Sequence, residues 1–249
     1  MGSRATAAGM TAAPAEGSLT IIIPVYNEEV ILSANLGRLI MYLNGIGGPF
    51  EIILVSNGST DMTLELAQQA QSSDPRVQAI ALERRGVGRA FKAAARRAHY
   101  EHLVSVDMDL SVDLTFIEKA RGLLAGCDLV VGSKQTGSQR RSWLRWLASA
   151  TFISCARLLL GTTVTDYSIG AKGYRRSWIM PYLDRLDDDT AYVLQLVAWG
   201  RRDGARITEI PVSCEDLRRS KFNLLHEGIH KFSSLFLIWL IHHRRHSRP

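Results

Sequence analysis

The stretch Leu19-Thr-Ile-Ile-Ile-Pro-Val25 runs into the polar turn Tyr26-Asn27-Glu28. Short, β-branched and almost continuously apolar, it reads as a strand buried on both faces. Outward from it the same rhythm repeats. Helical spacing through Val30, Leu32, Leu36, Leu39, Ile40 and Leu43 predicts a helix over Glu28–Leu43, broken by Gly45, Gly47, Gly48 and Pro49. Strands follow at Phe50–Val55, Val77–Leu82, Leu103–Val106 and Leu129–Val131, with helices at Thr60–Ser72, Val87–His99 and Leu114–Leu124. Farther on the pattern is less regular, with helices at Ser142–Leu160 and Thr190–Trp199 and a last strand at Ala205–Val212. Strands alternating with helices predict a single α/β domain, its mostly parallel central sheet covered by helices on both faces.

In such sheets ligands bind beyond the carboxyl ends of the strands. The polar clusters fall there: Tyr26-Asn27-Glu28, Ser56 to Asp61, Glu83-Arg84-Arg85-Gly86 and Asp107-Met108-Asp109. Asp107 and Asp109 directly follow an apolar strand. Two carboxylates one residue apart in a turn can share one divalent cation, and hard oxygen donors suit Mg²⁺ or Mn²⁺. By itself an Asp-x-Asp is an ordinary acidic turn; with three further polar clusters on the same rim, metal binding is the better reading. Gly58 permits a tight turn, and Thr60 or Asp61 can cap the next helix. Gly86-Val-Gly88 resembles a glycine-rich phosphate loop without its full spacing.

Composition narrows the partners. The 249 residues are 46% hydrophobic and 22% charged, an ordinary globular balance, with a net charge of +6. That excess suits nucleotide phosphates or an acidic membrane surface. No basic run interleaves with aromatics, so nucleic acid is not expected. Residues 1–18, rich in Ala, Gly, Thr and Ser, read as a disordered arm without the apolar core of a signal peptide. Cys127, Cys155 and Cys214 are widely spaced and odd in number, as expected of buried reduced thiols in the cytoplasm.

Eight segments together resemble the family 2 glycosyltransferases, and within them the polyprenyl-phosphate branch of dolichol-phosphate mannose and glucose synthases. They are IIIPVYNEE at 21–29, ILVSNGSTDMT at 53–63, RRGVGRAFKAA at 84–94, VSVDMDLS at 104–111, LVVGSK at 129–134, TDYSIGAKGYRRS at 165–177, ITEIPV at 207–212 and RRSKFN at 218–223. The resemblance implies a GT-A type domain over residues 19–223, leaving 224–249 as an apolar helix and basic tail. It places Pro24, Tyr26, Glu28, Asn57 and Asp61 against the nucleotide, and Asp107 and Asp109 on the metal at the donor diphosphate. Lys134 stands where an Arg usually meets the phosphates, and Arg219, Ser220 and Lys221 fall near the acceptor phosphate. The chain departs from the family at Ser56-Asn57, usually Asp-Asp, at Ser111, often Gln, and at Ile169, usually small and polar. An Asn amide can donate where a carboxylate cannot, which bears on base choice. Lys134 keeps the charge of Arg but loses its planar fork.

The implied reaction is inverting transfer of a sugar from a nucleotide-diphosphate sugar to a polyprenyl (dolichyl or undecaprenyl) phosphate. An acceptor phosphate is already anionic and needs positioning, not a general base. Two alternatives stay open: a glycosyltransferase with a soluble or small-molecule hydroxyl acceptor, and an inactive nucleotide-sugar-binding protein. With a hydroxyl acceptor, one of Asp187, Asp188 and Asp189 would be the candidate base; otherwise they read as a loop capping the next helix. Leu224–Ile241, followed by His242, His243, Arg244, Arg245, His246 and Arg248, reads as an interfacial helix on an anionic membrane. Its apolar run Leu235–Ile241 is too short to span a bilayer. A second apolar helix at Ser142–Leu160, rimmed by Arg140, Arg141, Arg145 and Arg157, points the same way. Together these features place the chain in the cytoplasm, peripheral to a membrane.

Overall fold

A computed structural model describes residues 17–134, 143–214 and 232–240. The seven strands are β1 (Leu19–Val25), β2 (Phe50–Asn57), β3 (Val77–Leu82), β4 (His102–Ser105), β5 (Leu129–Ser133), β6 (Lys172–Arg175) and β7 (Ile207–Pro211). They form one sheet in the order β3-β2-β1-β4-β6-β5-β7. All pairs are parallel except those of β6, which runs antiparallel to β4 and β5. The sequence pattern predicts every strand but β6. Lys172-Gly-Tyr-Arg175 is short and carries no apolar alternation; it is held in place by its neighbours rather than by its own propensity.

Period-2 alternation assigns the central strands to two cores. Ile22, Ile53, Val55, Leu103 and Tyr174 face one side, packed against α3 (Val87–Arg97), α5 (Trp143–Leu160) and α7 (Tyr192–Arg202). Ile21, Ile23, Ile52, Leu54 and Val104 face the other, under α1 (Leu32–Ile46), α2 (Thr63–Ser73) and α4 (Thr115–Leu124). A short helix α6 (Arg176–Ile179) and a 3-10 turn (Met180–Arg185) connect β6 to the loop before α7.

Several boundaries differ from the sequence reading for local reasons. Helix α1 starts four residues later than Glu28, because the turn before it is tied to the β2 loop. Leu32, Leu36, Leu39 and Leu43 form its buried stripe, while Val30 lies outside the helix and is 88% exposed. On α5 the buried stripe is Phe152, Ala156 and Leu160, with Cys155 and Leu159 only partly buried beside it. Of the free cysteines, Cys214 is buried and Cys127 and Cys155 are half-buried. The expected helix over Leu224–Ile241 is helical across 232–240, and its remainder lies outside the described residues. There Leu235 and Ile238 join the α3–α5–α7 core. None of the described helices is long and apolar enough to cross a membrane.

Candidate active site

The carboxyl ends of β1, β2 and β4 lie side by side, with β1 in the middle. Two polar groups form there. Around β1 and β2 the turns are knitted together. Asn27, at φ 53°, accepts the Thr60 N–H on its side chain at 2.9 Å. The Glu28 N–H donates to Thr63 Oγ1 at 2.8 Å, and the Met62 N–H donates to Glu29 Oε2 at 2.9 Å. Asp61 accepts the Thr63 N–H at 3.0 Å and the Glu29 N–H at 3.3 Å. Burial raises the Asp61 carboxyl, but the hydrogen bonds from Thr63 and Glu29 outweigh it and leave it below its ordinary value. Asp61 therefore caps α2 and braces the loop.

Tyr26, half-buried, has the Arg85 guanidinium 4.1 Å from its ring centroid, a cation–π contact. Asn57, 5% exposed, accepts the Gly86 N–H on Oδ1 at 2.8 Å. Only the oxygen of an amide can accept, so the orientation of the Asn57 amide is set. Pro24 and Glu28 are half-buried beside them. Gly86 and Gly88 do not form a phosphate loop. They face the chain at Asp187–Asp189: a Cβ on Gly88 would lie 2.2 Å from the Asp187 carbonyl oxygen. Asp187 and Asp188 of that segment are held by the neighbouring chain, while Asp189 is exposed. The Asp188 carbonyl accepts the Arg89 N–H at 2.8 Å, and its carboxylate pairs with Arg89 at 2.7 Å and Lys92 at 2.6 Å. Asp187 Oδ1 accepts the Ala191 N–H at 3.2 Å, capping α7 as the sequence suggests.

The second group is the Asp107–Asp109 turn. The Leu110 N–H closes it on the Asp107 carbonyl at 3.1 Å, and the Ser111 N–H binds Asp109 Oδ1 at 3.0 Å. Met108 between them is 2% exposed and belongs to the α1–α4 core, which turns both flanking carboxylates away from that core. Leu110 sits at φ 49°, a left-handed conformation that costs a side chain about 1–2 kcal/mol. Strain of this kind concentrates at functional turns.

Asp107 is an exposed residue whose carboxylate lies against protein on one side. Gly170 presses on it so closely that a Cβ there would fall 2.3 Å from both carboxylate oxygens. Burial pushes the Asp107 carboxyl above its ordinary value and Asp109 adds to this; Lys172, Lys134 and a hydrogen bond from the Gly170 backbone oppose it. Lys134, half-buried, follows directly on β5. Tyr192 lies beneath, stacked on Phe91 with ring centroids 4.9 Å apart. Its hydroxyl is pushed up to about 12, by burial first, with the Asp107 charge adding to it.

The loop bearing Gly170 is braced from several sides. Ser105 Oγ donates to the Gly170 carbonyl at 2.6 Å. Glu209 on β7 accepts from Thr165 Oγ1 at 2.7 Å and from the Thr165 N–H at 2.9 Å. Ile169, 3% exposed, packs into the core where the family usually has a small polar residue. Sequence reasoning missed Gly170, Lys172 and Glu209; the signal within reach was the TDYSIGAKGYRRS segment that contains the first two. Arg219, Ser220 and Lys221 lie outside the described residues. The described chain before them ends at Cys214, which pairs with Val112 three residues beyond Asp109.

Two hard carboxylate donors at a strand end, their mutual repulsion relieved by a cation, fit a divalent metal. Residues 20–183 match the family described as Glycosyl transferase family 2. The chain belongs to this family. An undecaprenyl-phosphate 4-deoxy-4-formamido-L-arabinose transferase from Pectobacterium carotovorum is 35% identical over 162 residues, which is 64% of this chain and 49% of that protein. The protein of the same name from Edwardsiella ictaluri is 29% identical over 212 residues, 83% of this chain and 63% of its own. Glycosyltransferase AglD from Haloferax volcanii is 25% identical over 243 residues, 94% of this chain and 38% of that one. This family 2 chain spans about half the length of the curated relatives it matches. Among solved structures, glucosyl-3-phosphoglycerate synthase from Mycobacterium tuberculosis, in complex with Mn²⁺, UDP-glucose and phosphoglyceric acid, superposes with a TM-score of 0.67 at 16% identity. It covers 89% of this chain and 79% of that one. The fold is of the GT-A type.

Proposed function

We propose that this chain transfers a sugar, with inversion, from a nucleotide-diphosphate sugar to a polyprenyl phosphate at a membrane surface. The observation that carries the reading is the Asp107–Asp109 turn, strained at Leu110 and closed over by Gly170, on the ligand-binding rim of a family 2 sheet. The names of the undecaprenyl-phosphate transferases support the acceptor class.

Asp107 and Asp109 would hold Mg²⁺ or Mn²⁺. Bound there, the metal neutralises charge on the departing diphosphate. The half-buried Lys134 orients that diphosphate and shares its charge. Tyr26 and Asn57 line the base and ribose pocket, with Pro24 and Glu28 beside them and Asp61 bracing its floor. Arg219, Ser220 and Lys221 receive the acceptor phosphate; the chain leading to them departs from beside Val112. In one displacement an acceptor phosphate oxygen bonds to the anomeric carbon while the carbon–oxygen bond to the diphosphate breaks. The nucleoside diphosphate leaves with the electron pair. No proton must be removed, in keeping with Asp187 and Asp188 being engaged in capping and ion pairs.

Exposed apolar side chains support peripheral attachment to the cytoplasmic face of a membrane. Leu158 on α5 is 86% exposed, and Phe232, Phe236 and Leu237 on the 232–240 helix are 39%, 55% and 58% exposed. Phe152 joins that helix to the site loop, with its ring 5.4 Å from Phe232 and 5.8 Å from Tyr167. The basic stretch from His242 to Arg248 follows in the sequence and suits an anionic leaflet.

The test is incubation with a panel of labelled nucleotide sugars, Mn²⁺ and undecaprenyl phosphate in anionic vesicles, followed by organic extraction. Metal-dependent label in the lipid phase is expected. Label appearing only in water-soluble product overturns the polyprenyl acceptor. Flotation of the protein with the vesicles at low salt, and its loss at high salt, checks the membrane face.

A further inference from the structure

We propose that Asn57 reads the nucleotide base with its amide nitrogen and so sets base preference. The pocket favours a base whose ring nitrogen on the pairing edge accepts a hydrogen bond, as in cytosine and adenine. It disfavours one that carries an N–H there, as in uracil and guanine. The inference rests on the reading of the β1–β2 rim as the nucleotide pocket and names the base edge which that pocket takes. Strand β1 ends at Val25 in register with Ser56 of β2, so Tyr26 and Asn57 are the next residues along adjoining segments. One loop reaches both of them. The Arg85 guanidinium lies 4.1 Å from the Tyr26 ring centroid, and the neighbouring Gly86 donates its N–H to Asn57 Oδ1 at 2.8 Å. Proteins hold a base by stacking on its face and read it by hydrogen bonds to its edge; an aromatic ring and an amide at one strand-end pocket supply both.

The amide has one way to sit. Asn57 is 5% exposed, and the loops around it meet back to back. Gly58, at φ 73°, donates its N–H to the Leu82 carbonyl at 3.0 Å, and a Cβ on Gly58 would fall 3.1 Å from the Arg85 backbone nitrogen. Only the amide oxygen can accept the Gly86 N–H, so Oδ1 is committed to the protein and Nδ2 is left over. Among the described residues nothing accepts from Nδ2. The one buried side-chain atom there without a partner is Nδ1 of His102, so the Asn57 Nδ2 is not sealed in but reaches solvent. A buried amide with its oxygen held and its nitrogen open is a preset donor: it offers a ligand N–H groups and no acceptor. The ring nitrogen of cytosine or adenine completes that bond. The ring N–H of uracil or guanine sets donor against donor, and one unmade hydrogen bond is worth about tenfold in affinity.

The experiment measures binding of CDP, UDP, ADP and GDP to the full chain with Mn²⁺ by calorimetry, with thermal melting alongside. Within each pair, CDP against UDP and ADP against GDP, the ribose and diphosphate are the same and the base edge changes. CDP should bind about tenfold more tightly than UDP, and ADP than GDP. Asn57→Asp keeps an oxygen for the Gly86 N–H and turns the open donor into an acceptor. It should melt with the wild type and reverse the preference within each pair, whatever its added charge does to all four affinities. Asn57→Ala removes both halves of the amide; it should melt earlier and bring the paired affinities close to equal. Wild-type binding of UDP or GDP as tight as that of CDP or ADP overturns the proposal, as does a preference that Asn57→Asp leaves unchanged. A wild-type chain that binds none of the four overturns the nucleotide reading of the rim itself, and the proposal with it.

Discussion

Two carboxylates occupy opposite ends of the same sheet and are treated in opposite ways. At the amino ends of the strands, Glu51 is 6% exposed and saturated. It accepts hydrogen bonds from Thr20 Oγ1 at 2.6 Å, the His99 N–H at 2.7 Å, His99 Nδ1 at 2.7 Å and Gln78 Nε2 at 2.9 Å. At the carboxyl ends, Asp107 is an exposed residue beside another acid, and its carboxyl is raised above its ordinary value. Glu51 spends its lone pairs tying strands and a loop together. Asp107 keeps its own for something that arrives from solvent. A buried acid with every oxygen engaged is a structural part; an acid only partly compensated in a braced, strained turn is a binding part.

The sharpest way to break this comparison is to delete both. Asp107→Ala and Asp109→Ala should each lower transfer by a factor of 100 or more, about 3 kcal/mol of transition-state stabilisation, with little change in melting temperature. Glu51→Ala strands a hydroxyl, an amide and a backbone N–H, each costing about 1–3 kcal/mol, and should lower the melting temperature by on the order of 10 °C. Rates and melting curves that show the reverse pattern would remove the distinction. Gly170→Ala sharpens it: a methyl placed 2.3 Å from the Asp107 oxygens should displace the carboxylate and weaken Mn²⁺-dependent nucleotide binding by about tenfold or more, measured by calorimetry. Lys134→Ala should lower kcat/KM for the donor by about tenfold, with Lys134→Arg recovering most of it; equal kinetics for wild type and Lys134→Ala would take Lys134 off the diphosphate.

The smallest effect concerns a third acid. Hydrogen bonds from Lys92 and Arg89 hold the Asp188 carboxyl below its ordinary value. Its folded pKa is therefore lower than its unfolded one, so its contribution to stability is full above about pH 4 and is lost as pH falls through the folded value. With its side chain 46% exposed, solvent screens the pair and the effect is slight. Melting scans between pH 6 and the acid limit should decline slightly less steeply for Asp188→Asn than for wild type. A steeper decline in the variant would show that Asp188 is not ion-paired in solution.

How much of this was legible depended on whether a residue's role was local. Strands β1 to β4 announce themselves as apolar runs ended by polar turns, and the parallel rim follows from their alternation with helices. The Asp-x-Asp turn could be read because its meaning lies in two residues and the strand before them. The pairing of Tyr26 with Arg85 and the bond from Gly86 to Asn57 could not, because each joins residues of separate loops. Glycines 86 and 88 were opaque for the same reason. Their pattern resembles a phosphate loop without its full spacing, and the neighbour that demands them is the backbone at Asp187–Asp189.

By itself the sequence determined the α/β architecture, the rim on which chemistry sits, and the two carboxylates that face it, since periodicity and strand-end turns are local and dictate which side chains must be buried. Only the tertiary structure decided that β6 enters antiparallel between β4 and β5, bringing Gly170 against Asp107 and burying Lys172. Nothing local in Lys172-Gly-Tyr-Arg175 calls for a strand, and a lysine reads as surface until a sheet closes over it. Its burial is a property of the pairing, which forms between segments 67 residues apart at Ser105 and Lys172.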